Sequence, residues 1–204
     1  IRVPLYPSHD KSSFRRILSY SSFALAGSTI GAFRVDRADV AYVPQGPITL
    51  GLPAFILKIL KRIPFVFDVK DLWPDSLPAT GMFDSKTGLW MVNKWCNFCY
   101  RQASKVVVPT EGIKQRIIER GTPGNKVEVI YNWCDEAILN FESPDDNFKA
   151  EIGFEGKFNI VFAGNIGKAQ ALDIVLDAAK RLMDTKVQFV FIGGGIEKEN
   201  LQNK

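Results

Sequence analysis

The chain has one histidine, His9, and three cysteines, Cys96, Cys99 and Cys134, among its 204 residues. So few cysteines exclude a disulfide scaffold. Cys96-x-x-Cys99 has the spacing of a redox or metal pair, yet it lies on an apolar stretch of helical spacing, far in sequence from His9. A four-ligand zinc site needs more donors than that. Reduced thiols, buried or half-buried, are expected instead, and with them a cytoplasmic compartment. There is no signal peptide and no apolar run of about 18 residues, so no membrane-spanning helix is expected. Neither GxGxxG nor GxxxxGK[ST] occurs, which disfavours a nicotinamide dehydrogenase and a phosphate-binding P-loop. Short-period repeats and low-complexity tracts are missing too.

What is present is ordinary for a globular protein: 46% hydrophobic residues, 24% charged, and a formal net charge of +4. The charge is unevenly placed. Residues 1–62 hold nine Lys/Arg against three Asp/Glu, whereas residues 151–204 hold seven of each. A basic leading third suits an anionic surface or substrate, such as membrane headgroups or phosphates. A basic solvated face fits it equally well.

Along the chain, strands alternate with helices. Ser12 or Ser13 can cap a helix through Phe14, Ile17, Leu18, Phe23 and Leu25. Arginines 15 and 16 oppose the dipole in its first turn and so are expected to serve something outside it. The pattern then predicts a buried strand over 39–43, a helix over 48–60 and a strand over 64–69. A helix over 86–102, a strand over 105–109, a helix over 111–120 and a strand over 126–131 follow. Residues 132–157 are polar with little periodicity and read as a linker. A strand–helix–strand unit closes the chain, FNIVFAGNIGKAQALDIVLDAAKRLMDTKVQFVFIGGG, with its first strand expected to be buried on both faces. The expected architecture is α/β, with a parallel doubly wound sheet over 1–131 and the start of a second over 158–204.

Ligands of such sheets bind beyond the carboxyl ends of the strands. One candidate group there is Lys70, Asp71, Trp73 and Asp75: a cation for phosphate, carboxylates for hydroxyls, a ring for a sugar face. Its plain alternative is a surface Lys–Asp pair. A second is Thr110-Glu111-Gly112, where ordinary helix capping is the stronger reading. A third is the loop of Gly164, Asn165, Gly167, Lys168 and Gln170, beside a helix N-terminus that suits a diphosphate, with glycines that merely close a tight strand-to-helix turn as its equal alternative. Gly193 and Gly194, in a run of three glycines, either let a ligand approach the backbone or simply make a turn. The aromatic helix with Trp90 and Trp95 is expected to be core, with a lipid interface as its alternative.

These residues resemble glycosyltransferase family 4. VVVPTEGIKQRIIERGTPGNKVEVIYNWCD, residues 106–135, is similar to the end of that family's first domain, and FAGNIGKAQALDIVLDAAKRL to the opening of its second. FDVKDLWPDSLPATGMF resembles a bacterial subgroup that builds O-antigen, capsule or exopolysaccharide. The resemblance implies the GT-B fold, two Rossmann-like domains facing a cleft. It also implies retaining transfer from a nucleotide-diphosphate sugar, UDP-linked by expectation, without a metal. A saccharide acceptor, lipid-linked by expectation, and peripheral association at the inner face of the membrane belong to the same reading; nucleic acid does not.

By position, Asn165 and Gln170 replace the family's diphosphate-binding Arg and Lys, and Lys168 is expected to supply the missing charge. Lys70 replaces a frequent active-site His, with Asp71 after it, making these two the candidate catalytic residues. Trp73 and Asp75 fall on the acceptor side.

The chain carries no initiating Met, opens on Ile1-Arg2-Val3 as though inside a strand, and ends on a helical segment. The family's Gly-rich loop is expected before Ile1 and its Glu pair after Lys204. A piece of a longer protein, inactive by itself, is therefore expected. The rivals are a sugar-nucleotide epimerase of similar fold and a non-catalytic binding subunit.

Overall fold

The computed structural model describes residues 1–7, 13–78, 85–136 and 146–204. His9 and the expected cap at Ser12 lie outside them. The chain divides into two compact units, Ile1–Asn132 and Trp133–Lys204.

The first unit holds a four-stranded parallel sheet in the order β1 (Ala41–Pro44), β2 (Phe65–Asp68), β3 (Lys105–Val108), β4 (Val127–Val129). Helix α1 (Ser13–Ala26) precedes it and runs through a π-turn at Gly27–Gly31 into the short α2 (Ala32–Arg34). Three crossover helices connect the strands: α3 (Gly51–Lys61), α4 (Lys86–Gln102) and α5 (Glu111–Glu119). Consecutive parallel strands joined by right-handed crossovers carry all their helices on one face. The core shows this. Phe65, Phe67 and Val69 alternate toward Ala54 of α3, Cys96, Cys99 and Tyr100 of α4, and Ile117 of α5, all of them buried. Each such ring gains about 2–3 kcal/mol from leaving water, before the entropy of ordering is counted.

Helix α4 is the centre of this packing. Trp95 stacks on Phe98 with centroids 5.4 Å apart, Phe98 meets Phe55 edge-on, and the Trp95 indole donates to the Ile48 carbonyl at 3.1 Å. The aromatic residues here are core, as expected, except that Trp90 is 59% exposed with the Lys94 ammonium 5.6 Å from its ring centre.

Two strand expectations need correction. Residues 39–43 do not form a buried strand: β1 starts at Ala41, alternates between half-buried and exposed, and leaves Tyr42 62% exposed. It is the outer strand, with helices on only one side. Ile1-Arg2-Val3 forms no strand.

In the second unit, β5 (Phe158–Ala163) pairs in parallel with β6 (Val187–Ile192), and α7 (Leu172–Arg181) crosses between them. Two short helices flank the pair, α6 (Asp146–Glu151) and α8 (Lys198–Gln202). The stretch expected to be linker, 132–157, thus carries α6 and groups with this unit beyond Asn132. β5 is not buried on both faces either, since Phe158 is 69% and Val161 46% exposed. Its described neighbours are one strand and a helix lying against β6, too little to cover two faces. Among the described residues, no helix is long and apolar enough to cross a membrane.

Candidate functional site

The carboxyl ends of β1 and β2 bring together residues that the sequence separates. Asp68, the last residue of β2, is 2% exposed and on the sheet face opposite Phe67. Its Oδ2 accepts a hydrogen bond from the Tyr42 hydroxyl and lies 3.2 Å from Lys70 Nζ, while Oδ1 has no hydrogen-bond partner among the described residues. A buried carboxylate is costly unless paired, so Tyr42 and Lys70 hold it there. The carboxylate in turn pushes the Tyr42 phenol up to about 12, mainly through that hydrogen bond. Lys70 is therefore an anchored cation, half exposed, whose partner is Asp68 and not the adjacent Asp71. Asp71 is exposed, and its carbonyl accepts from Trp73 N–H at 3.0 Å.

The next residues turn back through a cis Trp73–Pro74 peptide. Arg120, which ends α5, donates from Nη1 to the Trp73 carbonyl at 2.8 Å and from Nη2 to Asp75 Oδ2 at 2.6 Å. Asp75, expected on the acceptor side, thus has an arginine as its partner. Sequence reasoning missed Tyr42, Asp68 and Arg120. Asp68 left a signal, an acid within a strand whose neighbours are all apolar, which is rare without a partner. Arg120 left none, being one basic residue among several at a helix end. Thr110 does what capping requires: its Oγ1 accepts from Ile113 N–H at 3.2 Å.

In the second unit, the loop after β5 does not run straight into α7. Gly164–Gly167 leads to a 3-10 turn over Lys168–Gln170, then to Ala171 in the left-handed conformation, and α7 starts only at Leu172. Gln170, though exposed, folds back on its own loop, its Oε1 accepting from Gly167 N–H at 3.2 Å, and Asn165 packs over Gly167. Lys168 stays outside, on a cleft of about 270 Å³ that it shares with Asp173, Glu197, Asn200 and Lys204.

The glycine run beside it has two roles. A Cβ on Gly193 would stand 1.9 Å from the Gly164 carbonyl oxygen, and one on Gly195 2.1 Å from that of Ile166. The two loops are zipped by Gly164 N–H to Ile192 O at 2.9 Å, Ile166 N–H to Gly194 O at 2.8 Å and Glu197 N–H to Ile166 O at 3.1 Å. Gly193 and Gly195 serve this backbone contact. Gly194 faces open space.

Cys96 and Cys99 are buried and their thiols are pushed up to about 12 by burial, so they are inert packing groups; Cys134 is exposed. Among the described residues, no three His, Cys, Asp or Glu side chains are grouped to hold a metal ion.

Parallel α/β units of this kind define a Rossmann-like architecture. Residues 1–133 match the glycosyl transferase 4-like domain, and the chain belongs to that family. It is 24% identical to a probable glycosyltransferase of Pseudomonas aeruginosa, WbjE, over 79% of this chain and 41% of the relative. It is also 24% identical to the putative colanic acid biosynthesis glycosyl transferase WcaI of Escherichia coli K12, over 98% of this chain and 51% of that one. The chain spans about half the length of these relatives.

Among solved structures it resembles Anabaena HepE, crystallised with UDP and glucose, at a TM-score of 0.66 and 19% identity, over 90% of this chain and 48% of HepE. A UDP-N-acetylglucosamine 2-epimerase aligns at a TM-score of 0.54 and 10% identity, over 97% of this chain and 55% of that one. These likenesses concern the fold, and HepE bears out the expected GT-B class.

Proposed function

We propose that the protein transfers a sugar from a nucleotide-diphosphate sugar to a saccharide acceptor in the assembly of a bacterial surface polysaccharide. The observation that carries this reading is the family match over residues 1–133. The names of WbjE and WcaI support it, and HepE, crystallised with UDP-glucose, supports a UDP-linked donor.

In this reading the donor diphosphate lies at the Gly164–Gln170 loop. Lys168 stands outside that loop on the cleft with Lys204, and Gly194 leaves the backbone approachable. As the anomeric carbon gains oxocarbenium character, negative charge grows on the leaving phosphate, and cations and N–H groups fixed in advance lower the barrier. Transfer is retaining and metal-free. Lys70, held by Asp68, and Asp71 act near the transferred sugar, and Trp73 offers a ring face to the acceptor. The acceptor is lipid-linked and the protein sits peripherally at the inner membrane face. Support for this is the basic leading third and the exposed Trp90–Lys94 pair.

The test uses the protein as its gene encodes it, with tritiated UDP-glucose and UDP-N-acetylglucosamine and a lipid extract of the host envelope. Label passing to the lipid fraction is expected. A second reading, a sugar-nucleotide epimerase, draws on the TM-score of 0.54. It predicts an altered UDP-sugar with no need of acceptor. That product alone, or no reaction with any UDP-sugar, overturns the transferase.

A further inference from the structure

We propose that Arg120 is a positioning residue for this transfer: it clamps the loop that carries Lys70 and Asp71, and acts through them without touching substrate. The inference rests on the transferase reading above.

Arg120 follows α5, 45 residues after Asp75, and its side chain is 16% exposed. Its two terminal nitrogens bracket Pro74, one on the Trp73 carbonyl and one on the Asp75 carboxylate, at 2.8 and 2.6 Å. The backbone bonds Trp73 N–H to Asp71 O and Ser76 N–H to Leu72 O shape the turn locally. Arg120 ties it to the crossover that joins β3 to β4. Leu72 and Trp73 add packing against the core, but apolar contact sets orientation less sharply than two directed, charged hydrogen bonds.

At the other end of the same segment, Lys70 is pinned to Asp68. Lys70 and Asp71 thus stand between two fixed points. A planar fork fits the paired carbonyl and carboxylate, and a lysine reaches only one of them at a time. Small misplacements of a reacting group are expensive in rate, so a clamp of this kind is felt in turnover more than in binding.

The experiment measures kcat and donor KM of the gene-encoded protein with the UDP-sugar it turns over, for Arg120→Ala, Arg120→Lys, Asp75→Asn and Lys70→Ala, and for Lys70→Ala combined with Arg120→Ala. Expected are a fall in kcat of about 10- to 100-fold for Arg120→Ala, an intermediate loss for Arg120→Lys and Asp75→Asn, and a donor KM within about twofold of the parent. Because Arg120 acts through the Lys70 segment, the double variant should be little worse than Lys70→Ala alone.

Unchanged kcat in Arg120→Ala overturns the clamp, and so do losses that multiply independently with Lys70→Ala or that fall on KM. In each of these cases the parent enzyme stays active and the transferase reading stands. A parent protein that transfers no sugar overturns both. Should Arg120→Ala fail to fold, Arg120→Lys and Asp75→Asn decide the matter by the same criteria.

Discussion

The Gly193 backbone lies so close to the Gly164 carbonyl that a side-chain carbon at 193 would sit 1.9 Å from its oxygen. The two loops that end β5 and β6 are thereby held edge to edge, and the Gly164–Gln170 loop inherits its shape from that contact.

Replacing Gly193 by alanine should accordingly cost about 3 kcal/mol or more, because a fixed backbone carbonyl must move and φ is +148° there. Gly194→Ala, one residue on, meets nothing within 4 Å and should leave the melting temperature unchanged. Calorimetry of the two variants checks this. If ligand phosphate approaches Gly194, that variant should instead weaken UDP binding in titration calorimetry.

Lys168→Ala tests the cation beside the loop. If Lys168 faces the leaving phosphate, turnover at saturating donor should fall by about a hundred- to a thousandfold. Thermal stability should hold, since the ammonium makes no hydrogen bond or ion pair within the described residues. Normal turnover at saturating donor would remove Lys168 from the site.

Tyr42→Phe should lower stability by about 1 kcal/mol, since it leaves the buried Asp68 with Lys70 alone. The pH dependence has a definite sign. The phenol ionises near 12 in the fold against an ordinary 10. Its contribution is therefore complete below pH 10 and disappears as pH rises toward 12. The difference in melting temperature between parent and variant should shrink across that window; a constant difference would mean that the phenol is not bonded to the carboxylate.

Thiol titration with a disulfide reagent on the native chain near pH 8 should count one reactive cysteine, Cys134. Cys96 and Cys99 are buried and held protonated up to about 12. In denaturant the count should rise to three. Rapid labelling of three thiols in the native protein would contradict the packing of α4.

Much of the fold was legible in the residues. The order of strands and helices follows from apolar period and from Gly and Pro positions, signals that are local. Residues 86–102 read as a helix from the sequence, and in the structure Ser85 caps it, its Oγ accepting from Gly88 N–H. Burial was less legible. Ile160 to Ala163 have the composition of a doubly covered strand, yet β5 is largely exposed, because coverage depends on which neighbours the topology supplies. The candidate site was legible only as separate loops. Lys70 was visible as a cation at a strand end, but not that Asp68, two residues before it, is its partner, nor that Tyr42 of the neighbouring strand bonds that carboxylate.

By itself, the sequence determined the alternation of elements, the parallel α/β class and the two glycine-bearing loops, since each depends on residues within about a dozen positions of one another. Only the tertiary structure decided that Asp75 belongs to Arg120, that Asp68 anchors Lys70, and that Gly193 and Gly195 serve a backbone contact while Gly194 stays open. The Arg120–Asp75 and glycine contacts join separate loops and crossovers, and Asp68 is held for Lys70 by Tyr42 of the neighbouring strand. Their distances are set by sheet register and helix packing, which no single segment of the chain encodes.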